Sequence, residues 1–163
     1  MQGRKVIFLA LLMVMFSLVL WGAQGHVWAE SSGASLSKGQ SVYVPVYSNV
    51  FTGPRQRPFQ LATTLSIRNT DLFASIQVTS VDYYGTNGKM VRRYLGRPLE
   101  LRPLASTFIH IAEKDVTGGF GANFIVRWSA GKVVNNPIIE CIMIGATSGQ
   151  GISFVSPGQE IRE

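Results

Sequence analysis

The sequence has little with which to do chemistry. One cysteine, Cys141, stands among 163 residues, beside two histidines, His26 and His110, and nine acidic residues. A lone cysteine excludes an intrachain disulfide, so the fold rests on its core and its strand ladders. Two histidines, one cysteine and scattered carboxylates assemble no set of acid, base and nucleophile, so no catalytic residue is assigned. Paired cysteines are missing as well, and neither a metal site nor a cofactor is expected. Charged residues make up 15% of the chain, far below the density of a nucleic-acid binder. No stretch carries a helical period.

What is present begins with an address. Arg4 and Lys5 precede an uncharged apolar run over 6–20, followed by Trp21, Gly22 and Ala23. A basic start, an apolar run and small residues after it read as a secretory signal peptide over 1–29. Cleavage after Ala29 is preferred to cleavage after Gly25, and the product is periplasmic or secreted. Membrane association arises only if the apolar run stays uncleaved, since it falls slightly short of a full span. Maturation after Ala29 leaves thirteen Lys and Arg against nine acids, a net charge of +4, and nine of those bases are arginine. Arginine favours planar contact with carboxylate or phosphate. Residues 30–39 are rich in Ser and Gly and read as a flexible lead-in, and 40–163 as one domain.

That domain alternates. Leu61, Leu65 and Ile67 share one face of a strand over 61–68, and a turn at Asn69-Thr70-Asp71 ends it. A strand over 75–84 keeps its period only if it bulges at Thr79-Ser80. Gly85-Thr86-Asn87-Gly88 is a hairpin turn leading into a returning strand over 89–95. Further strands fall at 41–50, 99–101, 107–112, 123–129, 137–146 and 152–155. Pro45 in the first of them places it at a sheet edge or a bulge. The stretch 53–58 reads as a loop, and 113–122 as a glycine-rich connection. Eight or nine short strands at regular spacing predict an all-β antiparallel sandwich of immunoglobulin-like type.

The runs SVYVPVYS (41–48), RPFQLATTLSIRNTD (57–71), SIQVTSVDYYGTNGKMVRRYL (75–95), GGFGANFIVRW (118–128) and IIECIMIGATSGQGISFVS (138–156) resemble a bacterial domain-of-unknown-function family of predicted exported proteins. The resemblance covers nearly all of the mature domain and implies no activity. The order of strands and turns is more loosely similar to small immunoglobulin-like domains of bacterial envelopes, a likeness of fold alone.

Both alternating sets of 138–144 are apolar, Ile138, Ile142 and Ile144 on one side and Ile139, Cys141 and Met143 on the other. Such a strand is expected to have both faces covered, by a loop, a partner or an apolar ligand. Glu140 within it calls for a cation, Arg127 or Arg68. Cys141 reads as a buried space-filler rather than a nucleophile. Cleavage after Gly25 would expose His26 as an N-terminus able to join His110 around copper, a third and weaker reading beside a hydrolytic site. Gly118, Gly119 and Gly121 imitate a phosphate loop but precede a strand, so they read as a hairpin connection; with Asn123 they form a candidate binding loop. Asp82, Tyr83 and Tyr84 face Arg92, Arg93 and Tyr94 across the hairpin; cross-strand ion pairs and arginine–aromatic stacking are the first explanation, and the same tyrosine–arginine cluster is of the kind found in interface hot spots. The sequence therefore predicts a non-catalytic adaptor that contacts an envelope protein through this hairpin and loop. The alternative is a carrier of an apolar or lipid-like ligand on the 138–144 strand.

Overall fold

The computed structural model describes residues 35–147 and 149–162. The signal peptide, its two cleavage points and His26 lie outside the described residues. Those described belong to one compact unit, Ala34–Glu163, and are all β, in twelve strands rather than the eight or nine expected.

Two antiparallel sheets hold the core. The larger runs β12 (Gln159–Ile161), β1 (Leu36–Val46), β9 (Ala122–Asn135), β5 (Ile76–Tyr84), β6 (Met90–Arg93), with β7 (Leu99–Leu101) on the same free edge of β5 as β6. The smaller runs β11 (Gln150–Pro157), β10 (Ile138–Thr147), β4 (Ala62–Arg68), β8 (Ser106–Ile111). Alternation decides what lies between them. Val42, Val44 and Val46, then Phe124, Val126 and Trp128, then Ile76, Val78, Val81 and Tyr83 point inward from the larger sheet. Leu65, Ile67, Ile139, Cys141 and Met143 meet them from the smaller one.

Several expectations change in detail. The stretch 53–58 is not a plain loop, because β2 (Asn49–Thr52) and β3 (Arg57–Gln60) pair across it as a hairpin. The first strand starts at Leu36, inside the presumed lead-in, because 36 and 37 pair with the far end of β9. Pro45 lies beyond the three-residue reach of β12, so β1 has a neighbour on one side only where its missing N–H would otherwise be needed. The bulge falls where the period demanded it. Val78 opposes Trp128 and Ser80 opposes Arg127, leaving Thr79 as the extra residue.

Three sheet-to-sheet crossings converge at one end of the sandwich, where Asn69-Thr70-Asp71 ties them. The Asn69 side-chain amide donates to the carbonyls of Ala74, Leu101 and Arg102 at 2.7, 3.1 and 3.0 Å. Thr70 donates to the Asn136 carbonyl, and the Asp71 carboxylate accepts the N–H groups of Phe73, Ala74 and Asn135. Those bonds hold the Asp71 carboxyl below its ordinary value. Strand β5 leaves this end and carries Asp82 to Tyr84 to the opposite one.

Candidate functional site

At that opposite end the hairpin turn and the glycine-rich connection meet, and Thr86 joins them. Its N–H and hydroxyl both donate to the Gly118 carbonyl, at 2.8 and 2.9 Å. The same hydroxyl accepts the Gly121 N–H at 2.9 Å. Between turn and connection lies an open cleft of about 390 Å³ bordered by Thr86, Lys89, Val91, Val116 and Gly119. Gly118 is required by close approach, since a Cβ there would sit 1.9 Å from the Tyr83 hydroxyl oxygen. Ser48 donates its N–H to the Gly119 carbonyl, so the first sheet also grips the loop.

The tyrosines and arginines expected to form one cluster part ways. Tyr83 is core, 1% exposed, with its ring 5.0 Å from that of Phe124. Burial pushes its phenol up, opposed by the nearby Ser48 hydroxyl, though neither hydroxyl oxygen has a hydrogen bond of good geometry. Tyr84 pairs with Met90 and Asn123 at the strand ends. Arg92 reaches the Tyr94 hydroxyl at 3.2 Å, lies 5.5 Å from the centre of its ring, and approaches Asp115 at 3.6 Å. Thr117, donating from both its hydroxyl and its N–H, is the chief cause of a lowered Asp115 carboxyl. The Arg92 side chain is half exposed, so water screens the ion pair and it adds little to stability.

Asp82 belongs to a different place. It is buried on the outer side of the larger sheet, where Arg93 donates to Oδ1 at 2.7 Å and Arg127 to Oδ2 at 3.2 Å. The hydrogen bond from Arg93 and the charge of Asp82 raise the Arg93 guanidinium. Arg127 was read as a partner for Glu140; it faces away from that strand, on the other sheet. Arg68 turns to the Ser66 hydroxyl at 3.0 Å. No ion pair reaches Glu140 among the described residues, and its place on the outer face gives it water instead.

The sequence reading missed the residues that give this end its shape. Phe120, held out between two glycines, packs its ring 5.8 Å from Phe51 and 5.3 Å from Tyr47. Phe51 and Phe120 remain about half exposed, as do Met90 and Val116. An aromatic flanked by glycines in GGFG was the visible signal.

The 138–144 strand is also corrected. Its inner set is sealed, and Cys141 is fully buried. Burial first, then the adjacent Glu140 carboxylate, pushes its thiol up, which rules out a thiolate nucleophile there. The outer set is open rather than covered by a loop, with Ile138 at 48%, Ile144 at 55% and neighbouring Val155 at 53% exposure. His110 stands on that outer face, 3.4 Å from the Thr64 hydroxyl. No cluster of three His, Cys, Asp or Glu suited to a metal ion occurs among the described residues.

Comparison with known proteins supplies a family. Residues 39–161 match the protein family of unknown function DUF3124, and the chain belongs to it. No curated protein matches. One solved structure, the crystal structure of Thermotoga maritima 1070, is similar over 74% of this chain and 92% of its own, at 10% identity and a TM-score of 0.45.

Proposed function

We propose that this domain, a member of a family of unknown function, is an exported, non-catalytic binding module. It captures a protein of the bacterial envelope on the end of the sandwich formed by the 85–89 turn and the 112–121 connection. One observation carries the reading: Thr86 bonds both Gly118 and Gly121, so two loops distant in sequence present one fixed surface. A surface ordered before binding does not lose loop entropy on association. Val91 borders the cleft, Phe51 packs against Phe120 beside it, and Arg92 reaches Asp115 of the connection, apolar anchors beside an arginine, as in interface hot spots. The apolar leader at 6–20 supports export.

A photo-crosslinking amino acid in place of Val91 or Phe120 tests this in living cells. The expected result is a discrete adduct at both positions, absent from Gln77 at the other end of β5, and lost when Arg92→Glu is added. Identical adducts from all three positions, or none from any, overturn it.

A second reading has its own observation. The open row Ile138, Ile144 and Val155 is an apolar sheet face suited to an acyl chain or another apolar ligand. Organic extraction of the purified native protein decides this reading: copurified lipid supports it, and a clean extract removes it.

A further inference from the structure

The outer side of the larger sheet holds a second site that the interface above does not use. A cleft of about 300 Å³ is bordered by Thr79, Ser80 and Asp82 of β5, Arg93 of β6, Arg127 of β9 and Arg97 of the 94–98 connection. Three arginines and one aspartate border it, and no other ionisable residue does, so its walls carry a net charge of +2. The Asp82 carboxylate is 2% exposed and holds Arg93 on one oxygen and Arg127 on the other. It is therefore engaged as a structural anchor that holds two guanidinium groups at the cleft.

Neutralising Asp82 needs one arginine; the cleft has three. Arg93 engages Asp82 through Nε, and its terminal nitrogens bond no other acceptor among the described residues. Arg97 is exposed between Gly96 and Pro98 and forms no ion pair among the described residues. Like charges gathered in a recess repel one another, and on Arg93 the bond and charge of Asp82 outweigh the repulsion from Arg127. An anion between them would turn that repulsion into charge-assisted hydrogen bonds. Ser80 adds a hydroxyl, 3.4 Å from Arg127, that can donate to the same anion.

We propose that this cleft binds a phosphomonoester dianion, with Arg93 and Arg97 as its principal donors and Ser80 and Arg127 completing the ring. Two net positive charges match a dianion better than a carboxylate, and the fork of a guanidinium matches two phosphoryl oxygens. The group can arrive on a small soluble molecule or on a lipid headgroup; the recognition chemistry is the same.

Inorganic phosphate is titrated into the mature protein by calorimetry at low ionic strength, and vesicles with and without phosphatidate are tested by cosedimentation. Saturable binding of phosphate, weakened about tenfold or more in Arg97→Ala, is the expected result. Arg97 has no ion pair or side-chain hydrogen bond among the described residues, so this variant is expected to melt with the wild type, and a loss of binding is then not a loss of fold. Phosphate binding without vesicle binding assigns a soluble phosphomonoester. Binding to phosphatidate vesicles, but not to phosphatidylglycerol vesicles carrying a diester, assigns a headgroup. No saturable binding to either probe up to about 10 mM, or equal binding by Arg97→Ala, overturns the proposal.

Discussion

Replacing Asn69 with alanine is expected to cost more than any change of similar size on the surface of this domain. Asn69 is 2% exposed. Its Nδ2 has two protons for three carbonyl acceptors, so one bond is shared, and its Oδ1 accepts the Asp71 N–H at 3.0 Å. In Asn69→Ala the two buried side-chain bonds, to Ala74 and Leu101, vanish and strand their carbonyls. A stranded buried acceptor costs about 1–3 kcal/mol, and partial entry of water favours the lower half of that range, so the variant should lose about 2–4 kcal/mol. Domains of this kind have about 5–15 kcal/mol in total. Urea unfolding followed through Trp128, the only tryptophan after residue 29, reads this directly. With a slope of about 2 kcal/mol per molar, the midpoint should fall by about 1–2 M at constant slope. Asn69→Asp is the control of matched shape: ionised, it sets carboxylate oxygen against carbonyl oxygens, so it should be at least as damaging at neutral pH. A loss below about 0.5 kcal/mol for Asn69→Ala, the ordinary scatter of surface changes, would refute the reasoning.

Three further outcomes follow from the structure. Gly118→Ala drives a methyl group into Tyr83 and Ala122 and should lose about 1–3 kcal/mol as an overpacked site, partly recovered by adding Tyr83→Phe; thermal melts of the single and double variants check both. Asp71 and Asp115 have folded-state carboxyls held below their ordinary value of 3.8. Their contribution is therefore complete above 3.8 and disappears as pH falls below it through the folded values, so acid melts of Asp71→Asn should show a shallower decline than wild type. The Cys141 thiol should resist iodoacetamide in the native protein and react only on unfolding; mass spectrometry showing rapid labelling at neutral pH would contradict a sealed core.

Local chemistry was legible in the sequence where it depends on neighbours along the chain. The 61–68 alternation, the Asn69–Asp71 turn, the Gly85–Gly88 hairpin and the bulge at Thr79-Ser80 each follow from residues within reach of one another. The pairing of Asp82 with Arg93 falls out of hairpin register. What stayed hidden depends on register between distant strands. Arg127 comes 45 residues after Asp82, and only the β5–β9 ladder brings them together. The β2–β3 hairpin was masked by Pro54 and Pro58, which signal a loop although Phe59 is buried behind it. The apolar outer row of 138–144 implied a cover, yet alternation reports which side a residue faces and cannot report what stands on that side. Arg97 lies between Gly96 and Pro98, and nothing in a single chain position announces the cleft it borders.

The extra residue in β5 decides more than a kink. Before it, even-numbered side chains (Ile76, Val78) point to the core; after it, odd-numbered ones (Val81, Tyr83) do. Ser80 and Asp82 are thereby turned outward, into the ring of arginines. Deleting Thr79 would leave Val78 opposite Trp128 and Ser80 opposite Arg127 at consecutive positions, a regular ladder that keeps Val81 and Tyr83 inward and Asp82 among the arginines. A strand of unchanged length paired without the bulge would instead turn Asp82 toward the core and expose Val81 and Tyr83. The bulge is thus a slack residue, and a single-codon deletion at Thr79 is expected to spare cleft and core together. Among relatives of this domain, loss of the bulged residue is expected to be tolerated wherever Ser80, Asp82 and the arginines are kept.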